Sequence, residues 1–486
     1  MSLAARGRRL TALAAVAAVA ALLAVLVAVP VVTSGGAGAA EPRFTPGAPG
    51  AGDPYFARAG NGGHDVQHYD VGVRYALASG RLDGTTTITS RATQDLSRFN
   101  LDLVLQVSGV TVDGRLARFS QTRGELTVVP ASPIARGATF RTTVTYGGKP
   151  DEVFRGGTNP WIRSDNEVMA TNEPHIAAWW FPSNDHPTDK ATFDIAVTVP
   201  AGQQAVSNGD HAGTTSADGW DTWRWHVPDP MATYLAFFAA GRFQTESGVA
   251  RGLPYFNAVS MGLAPGNRAD AMRLMRRSPG IVRWLETQLG PYPFSSTGGV
   301  TTSLFAGFAL ENQGRPTYPF LGNGSYGRTT VVHELAHQWF GDHVSVGRWR
   351  DIWLNEGFAS WFEWRYAETH GGKPAQQKLL ARYSGYDADD PLWRKNLTDP
   401  GKHQLFSFPV YERGAMAVQA LRTRIGGRAF DRLLRTWVER RGDGNGRVSQ
   451  FERLAEEVSG KQLDRFFDTW LRSGRKPART AANGLR

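Results

Sequence analysis

The spacing of apolar and polar positions divides the chain into three segments. An apolar run from Leu10 to Val32 follows a basic start. From about Asp65 to Phe243, short stretches alternate apolar and polar residues between turn residues, a pattern typical of β-strands. After about Pro265, apolar residues recur at helical spacing. The pattern therefore predicts a leader, a β-rich half and a mainly helical half.

The β-rich half is expected to form an all-β sandwich or a saddle-shaped sheet, because several short strands follow one another at regular spacing. The stretches that carry this pattern are YDVGVRYAL, TTTITSRAT, LDLVLQV, ELTVVPAS, TFRTTVTYG, TFDIAVTVP and TWRWHV. In the second half, helices are predicted at 328–341, 354–370, 375–384, 411–425, 428–441, 449–459 and 462–472. The predicted fold is α+β, with a β-rich domain at 61–248, a mainly helical domain at 249–478 and a tail at 479–486.

The first 40 residues have the pattern of an export signal. Arg6, Arg8 and Arg9 precede the apolar run, and small residues follow it, with an Ala-x-Ala cleavage site at 37–39. The run is nearly long enough to span a bilayer, so an uncleaved N-terminal anchor is the alternative. Residues 41–60 are rich in Pro, Gly and Ala and are predicted to be a flexible linker. The protein is expected to be exported, and either secreted or attached to the outer face of the cytoplasmic membrane.

Composition excludes several classes of site. The 486 residues include no cysteine, so disulfides, thiolate ligands and a cysteine nucleophile are excluded. The net charge is +10, and three of these charges are arginines of the leader. The net positive charge outside the leader is small for a chain of this length, and the basic residues form no block of like charges. No nucleic-acid partner is therefore expected. The membrane is a partner only through an uncleaved leader.

A metal site is predicted around the sequence His333-Glu334-Leu335-Ala336-His337. Histidines four residues apart lie on one face of a helix, and Glu334 beside them can act as general base toward a water at the metal. Glu356 lies 18 residues after His337, and a second helix that folds back can present Glu356 as third ligand. Two histidines and one carboxylate suit one catalytic Zn²⁺ per chain, with a position left open. The alternatives are surface histidines on an amphipathic helix and a helix-start carboxylate at Glu356.

Ligand histidines usually need an acceptor for their second ring nitrogen. Asp351 and Glu363 are the candidates, and Glu363 lies two turns after Glu356 on the same helical face. A solvent-exposed helix acid is the alternative for Glu363.

The segments HELAHQWFGD (333–342) and WLNEGFASWFE (353–363) resemble the zinc signature of the gluzincin aminopeptidases, the family related to membrane alanyl aminopeptidase and leukotriene hydrolase. FALENQ (308–313) resembles its exopeptidase motif, and VYERGA (410–415) the segment with its catalytic tyrosine. A weaker match is EPHIAAWWFPSNDHPTDKATF (173–193). The resemblance runs from about Tyr69 to Pro477. It implies a saddle-like β-domain followed by a thermolysin-like catalytic domain.

The resemblance also implies roles for individual residues. Glu311 would bind the free α-amine of a peptide, Asn312 and the backbone near Ala309 would orient the peptide, and Tyr411 would donate a hydrogen bond to the oxyanion. The implied activity is that of a zinc metallo-aminopeptidase acting on peptides with a free N-terminus. An endopeptidase or epoxide hydrolase on the same zinc site, or a catalytically silent binding protein, are the alternatives.

The sequence departs from the family pattern in three places. Phe308 and Leu310 replace the Gly and Met of the exopeptidase motif, and Thr171 stands where the amine-binding segment usually has Gln. The chain also ends soon after FFDTWLRSGRKP (466–477), which predicts a more open cleft than in longer members. The preferred first residue, the physiological substrate and the oligomeric state are left open.

Overall fold

The structure is a computed structural model that describes residues 44–319, 322 and 324–486. The leader predicted at 1–40 lies outside the described residues. Within the described part, no helix is both long enough and apolar enough to cross a membrane.

The first half of the described chain is built from β-strands, as the alternating pattern predicts. In the strand His64–Ala76, buried and more exposed side chains alternate, so one face packs on the core. The strands are β1 (Thr45–Pro46), β2 (His64–Ala76), β3 (Arg81–Ala92), β4 (Leu96–Asp102), β5 (Gln106–Val112), β6 (Arg115–Leu116), β7 (Arg118–Thr122), β8 (Glu125–Val129), β9 (Thr139–Gly148), β10 (Ile162–Arg163), β11 (Val168–Ala170), β12 (Lys190–Pro200), β13 (Gln204–Ser207), β14 (Asp210–Ala217), β15 (Trp220–Ala232) and β16 (Phe238–Gly241).

An eight-stranded sheet with the order β14-β15-β12-β2-β3-β9-β5-β6 dominates this half. Two four-stranded sheets accompany it, with the orders β1-β4-β8-β7 and β10-β11-β16-β13. Strands β2 and β12 pair in parallel, with Tyr69 beside Phe193, and their rings stack at 4.8 Å. The β-rich N-terminal domain is thus confirmed.

The second half is mainly helical and begins with a small sheet. Its strands are β17 (Phe243–Ala250), β18 (Leu253–Ser260), β19 (Thr297–Thr301), β20 (Thr317–Tyr318), β21 (Val344–Val346) and β22 (Gly444–Gly446). Its helices are α1 (Pro265–Met275), α2 (Ser278–Leu289), α3 (Ser325–His337), α4 (Trp353–Thr369), α5 (Ala375–Gly385), α6 (Phe408–Ile425), α7 (Gly427–Arg441), α8 (Val448–Ser459) and α9 (Asp464–Phe467). The hairpin of β17 and β18 crosses the predicted boundary at residue 248 and joins the sheet β17-β18-β19-β20.

Helix α3 is displaced from its predicted range of 328–341. It begins at Ser325 and ends at His337, because the backbone turns after Phe340. Gly341 has φ +142°, a conformation that other residues rarely adopt. This turn sends the chain into β21 and then into α4, so the two helices that carry the predicted ligands lie beside each other.

Residues 44–60, which we term the N-terminal strap, do not form the flexible linker predicted for 41–60. Thr45 pairs with Leu96 on β4, and the carboxylate of Asp53 is buried. The tail predicted at 479–486 is packed as well. Its Leu485 is buried, and the indole of Trp470 donates to the Asn483 carbonyl at 3.1 Å. Both segments are rich in Gly and Ala, which allow close backbone packing as readily as flexibility.

The two halves share a continuous core and several buried polar contacts. Lys190, at the start of β12, donates to the carbonyls of Asp342 and His343 at 2.6 and 2.9 Å. The fully buried Arg315 donates to the Ser207 carbonyl and lies 4.8 Å from the ring centre of Trp225. The Lys190 bonds hold the loop after α3 against the β-rich half, and the Arg315 contacts do the same for the segment before β20.

Candidate active site

Three predicted ligands converge between α3 and α4. Nε2 of His333 lies 3.2 Å from Oε2 of Glu356, and Nε2 of His337 lies 3.4 Å from the same oxygen. All three ligand atoms lie within 4.8 Å of one another, and the side chains are largely buried. Burial would raise the pKa of Glu356, but His337 and His333 outweigh it and lower that pKa to about 2. The site is therefore a preformed set of two imidazoles and one carboxylate anion.

Nδ1 of each histidine, the ring nitrogen that faces away from Glu356, lies within hydrogen-bond distance of an oxygen atom. Nδ1 of His333 lies 2.9 Å from Oε1 of Glu363, and Nδ1 of His337 lies 3.0 Å from the carbonyl oxygen of Phe340. These bonds turn both Nε2 atoms toward Glu356. Nitrogen and oxygen donors of this kind, each supported by an outer hydrogen bond, fit Zn²⁺. The role predicted for Glu363 agrees with this geometry.

Asp351 does not support the histidines, contrary to the prediction. Its Oδ1 accepts a hydrogen bond from the backbone amide of Val448 at 3.2 Å, at the start of α8. A carboxylate at a helix N-terminus is favoured by the helix dipole. The acceptor that takes its place is the Phe340 carbonyl, which no sequence signal marks, because every residue has a carbonyl.

A cavity of about 400 Å³ opens beside the three ligands. Glu334 faces it from α3, and ligand atoms of Glu311, Glu334 and His337 lie within 4.8 Å of one another. Burial raises the pKa of Glu334 to about 8, although His333 and His337 counteract this shift. A divalent cation at the neighbouring ligands would favour the ionised form further. Glu334 thus stands where a general base for an attacking water is needed.

Glu311 reaches the cavity because its loop is held by α3. Gln338, directly after His337, donates to the Glu311 carbonyl at 2.8 Å and accepts from the amide of Gly314 at 2.7 Å. Oε1 of Glu311 is buried and has no hydrogen-bond partner among the described residues. Ala309, whose backbone is predicted to orient the peptide, also lines the cavity.

Glu173 is a site residue that was not predicted from the sequence. It lines the same cavity as Glu311, and its Oε1 is likewise buried without a partner in the described structure. Burial and the neighbouring carboxylate of Glu311 raise its pKa well above the usual range. A cation bound beside these two carboxyl groups would favour their ionised forms and offset the cost of their burial. The sequence signal for Glu173 is the segment beginning EPHIAAWWFP, which resembles the family pattern only weakly.

Asn312 has a structural role and does not line the cavity. Its Oδ1 accepts hydrogen bonds from the hydroxyls of Thr171 and Thr317, both at 2.9 Å, and its Nδ2 donates to the Leu235 carbonyl at 2.9 Å. The prediction that the Asn312 side chain orients substrate is therefore wrong. The bond from Thr171 to Asn312 gives this fully buried threonine a structural role, because it joins the loop of Glu173 to the loop of Glu311.

Tyr411 stands over the ligand set from the first turn of α6. Its ring centre lies 6.0 Å from that of His333, with 24° between the ring planes, and it lines the cavity. Burial and the surrounding carboxylates raise the pKa of Tyr411 well above its usual value, so its hydroxyl keeps its proton. Helices α4 and α6 approach closely because glycines meet there. A Cβ at Gly414 would lie 2.9 Å from Cα of Gly357.

Two adjacent histidines and a glutamate around one point, with a further glutamate in a peptide-sized cleft, define a zinc metallopeptidase site on a two-domain α+β fold. Comparison with known proteins agrees. Residues 283–470 match the peptidase family M1 domain, and residues 65–235 match the peptidase M1 N-terminal domain. The chain belongs to peptidase family M1.

Individual relatives show how far the similarity extends. The chain is similar to an M1 zinc metallopeptidase from Deinococcus radiodurans whose variant was solved with the substrate Tyr-Ser-Ala. That similarity has a TM-score of 0.79 at 30% identity and covers 88% of this chain and 98% of that one. The chain is 28% identical over 356 residues to human glutamyl aminopeptidase, covering 68% of this chain and 35% of the relative. The chain is 24% identical to aminopeptidase 2 of Candida albicans, over a match that covers 84% of this chain and 47% of the relative. The chain spans less than half of the length of these two relatives.

Proposed function

We propose that this protein is a zinc aminopeptidase that releases N-terminal residues from peptides. The observation that carries the proposal is the pair Glu311 and Glu173, which line the cavity beside the metal ligands and each have a buried carboxyl oxygen with no partner among the described residues. A free α-amine is the part of a peptide that carries the positive charge these carboxylates need. An internal peptide bond has no such charge and would leave both groups uncompensated.

The chemistry follows from what each side chain can hold. Zn²⁺ held by His333, His337 and Glu356 would supply a Lewis acid and lower the pKa of water. Glu334 accepts a proton from the attacking water and returns it to the leaving amine. Tyr411 donates a hydrogen bond to the oxygen on which negative charge develops. Glu311 and Glu173 hold the amine, so that the first peptide bond is the one presented.

Blocking the substrate amine tests this proposal directly. Acetylation of a peptide reporter should reduce kcat/KM by at least about 10²-fold, because it removes the cation that the two glutamates bind. Glu311→Gln should reduce the difference in kcat/KM between the free and the acetylated substrate, while zinc content stays unchanged. The measurement is kcat/KM for matched free and acetylated tripeptides. Equal rates on both forms in the unmodified protein would instead indicate an endopeptidase. A protein that binds zinc yet hydrolyses no aminoacyl or peptide reporter would indicate a silent binding protein.

The charges of the cavity also suggest which first residues are accepted. Among its described lining residues, the acids are Glu173, Glu311, Glu334, Glu356 and Glu363, and no lysine or arginine is present. The D. radiodurans protein was solved with Tyr-Ser-Ala, and similar structures are described as bound to L-arginine and L-tryptophan. We infer that aromatic, aliphatic and basic first residues are accepted and acidic ones are not.

A panel of aminoacyl reporters checks this preference. The glutamyl reporter should have a kcat/KM at least about tenfold below those of the leucyl and arginyl reporters, because like charges in a desolvated site repel. The glutaminyl reporter, which has the same shape without the charge, is the control. A glutamyl rate equal to the glutaminyl rate would refute the inference.

The place of action is also a proposal. It rests on the basic start, the apolar run and the small residues of positions 1–40. We propose that the protein is exported and acts outside the cytoplasm. N-terminal sequencing of the protein recovered from the medium and from washed membranes would distinguish a cleaved leader from an anchor, and recovery from the cytoplasm alone would contradict export.

A further inference from the structure

The N-terminal strap is bonded to the segments that lead into α4 and α6, the helices that carry Glu356 and Tyr411. Asp53 accepts hydrogen bonds from the amides of Tyr55 and Phe56 at 2.8 and 3.0 Å and from the amide of Trp349 at 2.9 Å. Burial would raise its pKa, but these bonds and His186 lower it to about 2. Trp349 begins the 3-10 turn Trp349–Asp351, which leads directly into α4 and Glu356. The strap is therefore fixed to the segment before a ligand-bearing helix.

The strap also holds the loop that enters α6, which we term the cleft loop, residues 399–407. The hydroxyl of Tyr55 donates to the carboxylate of Asp399 and accepts from the amide of Gly401 at 2.8 Å. The Phe56 ring lies 5.1 Å from Nζ of Lys402. One tyrosine hydroxyl thus joins two points of this loop.

The cleft loop forms part of the wall of the active-site cavity. Phe406 lines that cavity, and α6 begins two residues later with Tyr411 in its first turn. Most of the loop is exposed, including Lys402, His403 and Gln404. Its internal backbone bonds join Gln404 to Gly401 and Ser407 to Gln404, so they do not tie the loop to another segment. An exposed loop with few internal bonds depends on its external anchors for a fixed shape.

We propose that Tyr55 is a positioning residue for the peptide substrate, acting through the cleft loop. This inference rests on the proposed aminopeptidase function. Tyr55 touches neither the metal ligands nor Glu334; it sets the loop that places Phe406 against the substrate. Its loss should therefore weaken substrate binding and leave the chemical step largely intact.

Tyr55→Phe in the full, zinc-loaded chain tests the proposal, since it removes the hydroxyl and keeps the ring. KM for a leucyl peptide should rise about five- to tenfold, with kcat within about twofold and zinc content unchanged. Amide hydrogen exchange in residues 399–407 should become faster. Asp399→Ala should reproduce these changes, and Asp399→Asn, which keeps an acceptor for the hydroxyl, should restore most of the KM. The double variant Tyr55→Phe with Asp399→Ala should be no worse than either single variant.

Tyr383→Phe is the matched control. Its hydroxyl donates to the Pro477 carbonyl at 2.7 Å, so the variant loses a comparable bond outside the cavity, and its KM should stay at the value of the unmodified protein. An unchanged KM in Tyr55→Phe, or a change that Tyr383→Phe shares, would overturn the proposal. If the unmodified protein hydrolysed no reporter, the proposed function would fail. Hydrogen exchange would still test whether Tyr55 anchors the cleft loop, and an unchanged exchange rate of residues 399–407 in Tyr55→Phe would contradict that role.

Discussion

Glu334→Gln is expected to lower kcat by roughly 10³-fold or more, a larger effect than that of any other single substitution proposed for this protein. Gln keeps the size of the side chain but cannot accept the proton of the attacking water. Glu334 is itself buried beside His337 and Glu311, and the amide of Gln would leave that position without a base. Zinc should stay bound, because Glu334 is not one of the three converging ligands.

The measurement is steady-state kcat together with metal content by atomic absorption. Glu368→Gln is the control, since Glu368 lies on α4, outside the cavity lining, and pairs with Arg365 and Arg422. The control should keep kcat within about twofold. A Glu334→Gln variant with near-native kcat would remove Glu334 from the mechanism, and loss of zinc would make it a structural residue of the metal site.

Tyr411→Phe is expected to lower kcat by about 10²-fold, with a much smaller change in KM. The phenol is buried, and its raised pKa keeps it a hydrogen-bond donor. Its donor serves the charge that develops during reaction, so its removal should affect the transition state more than the bound substrate. The Phe ring preserves the packing beside His333.

The readout is the separate determination of kcat and KM on one peptide reporter. Tyr366→Phe is the control, because Tyr366 lies on α4 and stacks on His370 outside the cavity lining. If Tyr411→Phe raised KM alone, Tyr411 would be a binding residue. If it changed neither constant, the oxyanion role would be lost.

The metal site was largely predictable because it is mostly local. His333, Glu334 and His337 share one helical face, so their geometry follows from the helical repeat alone. Glu356 lies on a separate helix, and its place depends on the turn at Gly341 and on β21, which the spacing only suggested. Local patterns also predicted the β-rich half, since alternation along a strand reflects one buried face.

The amine site was predicted only in part. Glu311 came from a resemblance, whereas Glu173 lies far away in sequence and meets it only through the contact of two loops. The bond between Thr171 and Asn312 makes that contact, and it changes the meaning of both residues. Thr171, which replaces the Gln of the family pattern, forms a buried hydrogen bond, and Asn312, the predicted substrate ligand, is its partner.

Asp351 and the strap both make contacts that the sequence did not predict. Asp351 is close to Glu356 in sequence, yet its carboxylate bonds Val448, because the direction of a side chain depends on what packs around it. The strap has the composition of a linker, yet Asp53 is buried and bonded across the structure to Trp349. The composition of a segment indicates its intrinsic flexibility, but it does not show which distant segments will pack against it.

By itself, the sequence determined the α+β division, the helix with two ligands and a base, and the absence of thiol chemistry. Each of these depends on residue type or on spacing within one element. Tertiary structure alone decided that Glu173 joins Glu311, that Phe340 and not Asp351 supports a histidine, and that Tyr55 anchors the cleft loop. Those outcomes depend on contacts between segments distant in the chain, where packing selects among side chains that look equivalent in sequence.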